Sequence, residues 1–248
     1  FIVHGSILAI AGILVRIIGM LYRIPVVNII GSEGNGIYGA AFNIYNIMLV
    51  LSSYGLPMAV SKLVSARFTK KRYKSAAKVL RCSLMVAVCT GGIAALLVFF
   101  GASFIENVIY GGGLPGLAVP LRILAPTIFL VAILGVIRGF FQGQSTMIPT
   151  AVSQILEQIV NAIVSIAAGY GMMKAFASSP DVAAYGAAGS TLGTAMGALT
   201  AVLFMGFLYA VYTPTYNRLK RKDRHTENQS TGPVSYTHLR AHETAANL

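Results

Sequence analysis

Arg16 and Arg23 are the residues whose type and position point most directly to chemistry. Both lie inside an apolar stretch, Ile2 to Val27, that holds no other residue charged at neutral pH. An arginine near the centre of a membrane helix costs about 2.5 to 3.5 kcal/mol on insertion scales, so it normally faces a water-filled cavity or a partner of opposite charge. Because a guanidinium group binds phosphate oxygens through paired, charge-assisted hydrogen bonds, the two arginines predict a site for an anionic ligand.

The spacing of these arginines places them on one side of a helix. Seven residues separate them, which is about 700° of rotation at about 100° per residue and about 10 Å along the axis. Gly12 and Gly19 fall on the same line and leave space beside the guanidinium groups. We call these four residues the arginine face. Two alternatives stay open: ion pairing within a helix bundle, or extension of the Arg23 head toward the membrane surface along its apolar stem.

A second polar line follows from residue 154 onward, and we call it the polar face. Its members recur at helical spacing: Gln154, Glu157, Gln158, Asn161 and Ser165. Such a face must look into the bundle or at water, because amides and a carboxylate in lipid lack partners. Glu157 is the one acid clearly inside a predicted span, and it either pairs with an arginine or takes up a proton. For the amides the alternative is hydrogen bonding between helices, which contributes about 0.6 to 2 kcal/mol per contact.

The composition predicts the elements that position these groups. Of the 248 residues, 56% are hydrophobic and 10% are charged, whereas soluble domains carry charge on about a quarter of their residues. We therefore predict an all-α, multi-pass membrane protein in which each crossing takes about 20 apolar residues. Six helices are predicted: Ile2 to Val27, Ile37 to Val64, Leu84 to Tyr110, Leu117 to Phe141, Ile148 to Phe176, and Ala183 to Tyr212.

The distribution of the net charge of +12 argues against nucleic acid as a partner. Basic residues cluster between the second and third spans and again after the sixth: Lys62, Arg67, Lys70, Lys71, Arg72, Lys74, Lys78 and Arg81, then Arg218, Lys220, Arg221, Lys222 and Arg224. The loops of the opposite side carry mainly acids. By the positive-inside rule we predict that both ends of the six-helix segment are cytoplasmic.

Several other residues have predicted structural roles. Arg122 and Arg138 lie toward opposite ends of the fourth span, where we expect them to order loops or sit at the membrane interface. Gly189, Gly193 and Gly197 form a ridge of small residues that permits close helix packing. Pro25, Pro57 and Pro126 are expected to bend or break helices, and Gly31 to Gly36 are expected to form an external turn.

No sequence pattern indicates an enzyme, a cofactor or a metal site. Phosphate-binding loops, HExxH and GxSxG are absent from the sequence,. His238 and His242 have the spacing of a metal-binding pair, but they fall in VSYTHLRAHET, which resembles a translated sequencing adapter.

We predict a transmembrane lobe over residues 1–216, a truncated basic cytoplasmic linker over 217–233, and an adapter artefact over 234–248. The start at Phe1 is expected to lack a short natural segment.

Three segments carry a family resemblance: LVRIIGMLYRIPV (residues 14–26), YGLPMAVSKLVS (residues 54–65) and RGFFQGQSTMIPTAVSQILEQIVN (residues 138–161). Over residues 1–216 the chain resembles bacterial polysaccharide-biosynthesis exporters. Within them it is most similar to the stage V sporulation protein B and lipid II flippase branch of the multidrug/oligosaccharidyl-lipid/polysaccharide (MOP) exporter superfamily. The resemblance implies a fold of two helical lobes, of which this chain is the first.

The resemblance also implies a function, the flipping of an undecaprenyl-pyrophosphate-linked saccharide across the cytoplasmic membrane by alternating access. Membrane lipids and a C-terminal lobe are then the implied partners. Arginines of the family's first helix meet the pyrophosphate; Arg16 matches by motif, and Arg23 is displaced by one residue. Two other functions remain open, a multidrug or cation antiporter of the same superfamily and an envelope-synthesis scaffold without transport.

Overall fold

A computed structural model describes residues 2–223 of the chain as a bundle of α-helices. These are α1 (Ile2–Ser52), α2 (Leu56–Thr69), α3 (Tyr73–Phe104), α4 (Ala118–Gly143), α5 (Ile148–Ala175) and α6 (Val182–Lys222), with a π-helical turn after α3 at Ile105–Ile109. No strand occurs within these residues, and the all-α prediction is confirmed. α6 includes the first six residues of the predicted linker. The remainder of that linker from residue 224, the adapter-like segment, His238 and His242 lie outside the described residues.

The first helix is interrupted where the predicted external turn begins. A straight helix of 51 residues would be about 77 Å long at about 1.5 Å per residue, more than twice the thickness of a bilayer's apolar core. Gly31 breaks it with φ 71° and ψ −175°, a backbone conformation that is essentially restricted to glycine. Residues 32–36 are helical rather than a loop.

Contacts on either side of Gly31 show that the chain reverses there. Before the break, Gly19 lies beside Gln158 in the middle of α5, and Ile30 reaches Gly186 at the start of α6. After the break, the carbonyl oxygen of Ser52 at the end of α1 accepts a hydrogen bond from Thr90 in the middle of α3, and Phe68 of α2 stacks on Tyr216 near the end of α6. The two halves of α1 therefore run in opposite directions.

The number of separate long helices differs from the prediction. Within residues 2–223, five helical segments are long and apolar enough to cross a membrane, and the first, Leu8–Thr69, covers most of the first predicted span and all of the second. The sequence led us to expect a loop between those spans, whereas the structure makes the reversal with one glycine. The prediction of a multi-pass helical membrane fold is confirmed.

A break in the second predicted span occurs beside Pro57, as expected for a proline. The helix stops at Ser52 and restarts at Leu56, with Pro57 in the first turn of α2, where the missing N–H costs no intrahelical hydrogen bond. Pro25 and Pro126 lie inside continuous helices.

The bundle has two ends, each with its own hydrophobic core. The Gly31 end contains the break in α1 and the starts of α4 and α6; its buried residues include Ile30, Ile37, Val98, Leu117, Leu121 and Ala184. The basic end contains the α2–α3 turn and the ends of α4 and α6; its buried residues include Val60, Val64, Val79, Phe140, Met205 and Tyr216. The members of the two predicted basic clusters that lie within residues 2–223 thus fall at one end of the bundle.

At each end of the bundle, one carboxylate accepts hydrogen bonds from backbone N–H groups at the start of a helix. Glu106 accepts hydrogen bonds from the backbone N–H groups of Gly116 and Ala118 at 3.0 and 2.7 Å, beside the start of α4. Asp223 accepts one from the N–H of Lys74 at 2.9 Å, in the first turn of α3. Both contacts satisfy donors that a helix leaves unpaired, and the negative charge suits the positive end of the helix dipole.

Glycine ridges allow two helix pairs to pack closely. The predicted ridge Gly189, Gly193 and Gly197 of α6 lies against the backbone of α5; an added Cβ at Gly197 would lie 2.6 Å from the carbonyl oxygen of Glu157. A second ridge, Gly135, Gly139 and Gly143 of α4, lies against α2. The first ridge holds α6 against the helix that carries the polar face.

Candidate functional site

The arginine face borders the contact between α1 and α5. An added Cβ at Gly19 would lie 3.9 Å from Oε1 of Gln158, and the hydroxyl of Tyr22 accepts a hydrogen bond from Nδ2 of Asn161 at 3.1 Å. These contacts fix the rotation of α1 about its own axis. As a result, the side chains of Arg16 and Arg23 stay exposed on the described lobe, next to the contact with α5.

Neither arginine of the arginine face forms an ion pair with any residue in the described part of the chain. Arg23 places its Cζ 5.9 Å from the ring centroid of Tyr38, a distance suited to a cation–π contact. Arg16 has no hydrogen-bond partner among residues 2–223. The alternative of ion pairing within the bundle is therefore not realised here for either residue.

Glu157 pairs with Arg138, a residue that the sequence analysis assigned elsewhere. Nη2 of Arg138 lies 2.7 Å from Oε2 of Glu157, and the side chains are only 15% and 20% exposed. Nε of Arg138 donates to Oγ of Ser153 at 2.9 Å, and that hydroxyl donates to the carbonyl oxygen of Thr150 at 2.8 Å. Arg138 thus has one polar partner on each side of its guanidinium group.

The ion pair gives Arg138 a role that the sequence analysis did not foresee, whereas its predicted position at the membrane interface stays a prediction. Arg138 lies five residues before the end of α4, and Glu157 lies nine residues after the start of α5. The short connection between these helices brings the two charges to the same depth. Arg122, by contrast, is exposed at the Gly31 end and donates to Oγ of Ser103 at 2.9 Å, in keeping with a loop-ordering role.

Asn161 joins three helices at the centre of the bundle. Besides the contact with Tyr22 of α1, its Oδ1 lies 2.9 Å from Oγ of Ser165 on the same helix and 3.4 Å from Oγ1 of Thr194 on α6. The Ser165 hydroxyl also lies 2.8 Å from the carbonyl oxygen of Ser190. This amide connects helices, as the structural alternative for the polar face proposed.

The remaining members of the polar face, Gln154 and Gln158, are half-buried. Gln158 lies beside Gly19, so it is the residue of α5 placed nearest to the arginine face by the described contacts. The structure therefore brings the arginine face and the polar face together along one helix contact. Their predicted roles in ligand binding and coupling stay predictions.

The charges of this region are unevenly distributed. Glu157 of α5 pairs with Arg138 of α4, while the two arginines of α1 lie at an exposed face and have no acidic partner within the described residues. Arg138 was identifiable only from tertiary structure, because the spacing of 19 residues between it and Glu157 reflects no helical period.

Comparison with solved structures identifies the fold. The chain superposes with a TM-score of 0.64 on a MOP-superfamily transporter from Pyrococcus furiosus, at 16% identity, over 84% of this chain and 44% of that one. It superposes with the same TM-score of 0.64 on a multidrug resistance MATE family transporter in an outward-facing conformation. The two chains are 16% identical, over 90% of this chain and 48% of the other. The fold is that of the multi-pass transporters of the MOP superfamily.

The chain belongs to the polysaccharide biosynthesis protein family, whose sequence profile matches residues 4–228, within the lipid II flippase branch of that superfamily. The predicted membership is confirmed. Over 167 residues, 65% of this chain, it is 35% identical to the lipid II flippase MurJ of Bacillus subtilis. It is 29% identical over 96% of its length to the stage V sporulation protein B of the same organism, and 29% identical over 90% to the uncharacterized membrane protein YabM.

The chain covers 31%, 44% and 39% of the length of these three relatives, respectively. It therefore spans less than half the length of the curated relatives that it matches.

Proposed function

We propose that this chain forms one lobe of a membrane flippase, not an enzyme, that moves an undecaprenyl-pyrophosphate-linked saccharide across the bacterial cytoplasmic membrane. Family membership supports the transporter class. The observation that carries the choice of an anionic ligand is the exposed pair Arg16 and Arg23, which have no acidic partner within residues 2–223. Transport follows alternating access between this lobe and a C-terminal lobe, the general scheme for transporters built from two repeats.

In the proposed mechanism the arginines bind the pyrophosphate through charge-assisted hydrogen bonds. Their heads are spaced by two helical turns, about 10 Å, so they hold two separate parts of an extended anionic headgroup. The polar face beside them offers amide groups to the saccharide, with Gln154 and Gln158 as its half-buried members. The polyprenyl chain stays in the lipid, and the basic end with the N-terminus faces the cytoplasm.

The first prediction tests Arg16. We expect Arg16→Gln, made in the full-length protein, to lower the apparent affinity for undecaprenyl pyrophosphate by about 10- to 100-fold, because one charge-assisted hydrogen bond contributes about 1.5 to 3 kcal/mol. Titration of the purified protein in detergent measures this, with uncharged undecaprenol as the control ligand. Translocation of lipid-linked saccharide in cells should fall in parallel while the protein level stays normal.

Arg122→Gln is the matched control, since this arginine is exposed at the Gly31 end and bonds only Ser103 among the described residues. It should leave binding and translocation unchanged. Normal translocation by Arg16→Gln would refute the proposal.

The multidrug or cation antiporter is the second candidate, favoured by the structural likeness to a MATE family transporter. Drug efflux that depends on Arg16 would favour it. A scaffold without transport predicts that neither efflux nor translocation responds to Arg16→Gln.

A further inference from the structure

The Arg138–Glu157 pair raises the question of why an acid lies so close to an anion-binding face. Glu157 is next in sequence to Gln158, which contacts α1 at Gly19, and Gly19 is one turn from Arg16 on the arginine face. A carboxylate at this depth is therefore within one helix contact of the exposed arginines. In a medium of low dielectric constant, an unpaired carboxylate at Glu157 would form an ion pair with the nearest unpaired arginine, Arg16 or Arg23.

The ion pair with Arg138 prevents Glu157 from pairing with Arg16 or Arg23. The guanidinium group of Arg138 approaches Glu157 from α4, at 2.7 Å. The bond from its Nε to Ser153, and from Ser153 to the carbonyl oxygen of Thr150, fixes the guanidinium group on the first turns of α5. The acid is thus neutralised by a partner that does not belong to the arginine face.

The charge balance of the face follows from this arrangement. Glu157 with Arg138 sums to zero, and Arg16 with Arg23 leaves a charge of +2 on the arginine face. Two positive charges match a ligand with two negative charges, as a pyrophosphate diester carries. Had Glu157 paired with Arg16 instead, one cation would remain.

We infer that Arg138 is a positioning residue that holds Glu157 away from Arg16 and Arg23 and thereby reserves both of their charges for a diphosphate ligand. The inference rests on the proposed function, because it takes the arginine face to be the ligand site. It assigns Glu157 neither to ligand binding nor to proton uptake.

A double-substitution experiment tests this role. We expect Arg138→Gln to weaken binding of undecaprenyl pyrophosphate about 10-fold, the scale of one charge-assisted contact, because the released Glu157 competes for an arginine. Addition of Glu157→Gln to that variant should restore the affinity to within about two-fold of the unsubstituted protein, since both competitor and partner are then neutral. A residue that merely supports packing, or one that touches the ligand itself, gives no such rescue.

Glu157→Gln alone provides a second measurement that does not depend on the folding of Arg138→Gln. We expect its affinity for undecaprenyl pyrophosphate and its translocation rate not to fall by more than about two-fold, because Arg16 and Arg23 are unchanged and the released Arg138 adds a positive charge that does not compete for them. Loss of translocation in this variant would overturn the inference, and so would a double variant as weak as Arg138→Gln. Arg16→Gln separates the two proposals: if it binds normally, the proposed function fails, whereas absent rescue with a weak Arg16→Gln refutes only the role of Arg138.

Discussion

At the scale of single residues, Asn161 determines how the arginine face is presented. Its amide contacts Tyr22 of α1 and Thr194 of α6, while Ser165 links the same site to the backbone of α6. Tyr22 lies between Arg16 and Arg23 along α1, so this hydrogen bond sets the rotation of the helix that carries both cations. A structural amide thus has an indirect effect on the proposed ligand site.

The contact between Tyr22 and Asn161 gives a stability prediction. Tyr22→Phe removes the hydroxyl oxygen that accepts from Asn161 and should lower the free energy of unfolding by about 0.6 to 2 kcal/mol. Thermal unfolding in detergent micelles measures the change. Tyr54→Phe is the matched control, because Tyr54 is 79% exposed, and it should leave the midpoint temperature of unfolding unchanged. Equal effects of the two substitutions on this temperature would contradict the prediction.

Side-chain partners were the part of the site that the sequence predicted least well. Helical spacing identified the arginine face and the polar face, since each depends only on positions within one helix. The partner of Glu157 depends on how α4 and α5 slide and rotate against each other, which no single-helix pattern encodes. The residues Arg16, Arg23 and Glu157 were therefore identified from the sequence, whereas the pairing with Arg138 required the structure.

At the scale of helices, close packing depends on glycines that face a backbone. Gly139 of α4 lies so near α2 that an added Cβ would be 2.5 Å from the carbonyl oxygen of Pro57. The ridge on α6 was predicted from its spacing of small residues. The ridge on α4 has the same spacing, but its partner α2 begins only after the break at residues 53–55, so its contact was not predictable from spacing alone.

Gly139→Ala and Gly206→Ala form a matched pair that tests this packing. The first should destabilise the protein by about 1 to 3 kcal/mol, because the added methyl group overpacks the contact with α2. The second lies on α6 with open space around its Cα and should be neutral or stabilising by up to about 1 kcal/mol, through helix propensity. Thermal unfolding of both variants in one detergent measures the two changes in stability. A loss of stability in Gly206→Ala would argue against the role assigned to close packing at Gly139.

At the scale of the whole molecule, the two ends of the bundle differ in charge. Tyr216 donates its hydroxyl to the carbonyl oxygen of Tyr73 at 2.9 Å, and Asp223 bonds the N–H of Lys74. These contacts bring the basic residues of the α2–α3 turn and of the end of α6 to one surface. A surface of this kind is retained on the cytoplasmic side of a bacterial membrane.

Cysteine labelling tests the orientation that we propose. After Cys82 and Cys89 are replaced by serine, a single cysteine at Ser178, near the Gly31 end, should react with a membrane-impermeant maleimide in intact cells. Single cysteines at Lys70 or Thr146, both exposed near the basic end, should react only once the membrane is opened. The reverse pattern would place the N-terminus outside.

The overall fold was largely predictable, because apolar length and the placement of basic loops depend on composition. The number of separate helices was not. A glycine-rich stretch between two apolar runs normally indicates a loop, but here residues 32–36 continue as helix and one left-handed glycine performs the reversal. Backbone geometry at a single residue decided between the two outcomes.

The break at Gly31 also bears on how the protein is made. Since the first two crossings follow one another without a loop, they are suited to enter the bilayer as a single helical hairpin during synthesis. Residues 37–61 carry no charge, so the second crossing supplies the apolar segment that draws its arginine-bearing neighbour in with it. Each arginine adds about 2.5 to 3.5 kcal/mol to the cost of inserting the first crossing when it lies near the centre of the bilayer, and insertion as a hairpin sets the uncharged second crossing against that cost.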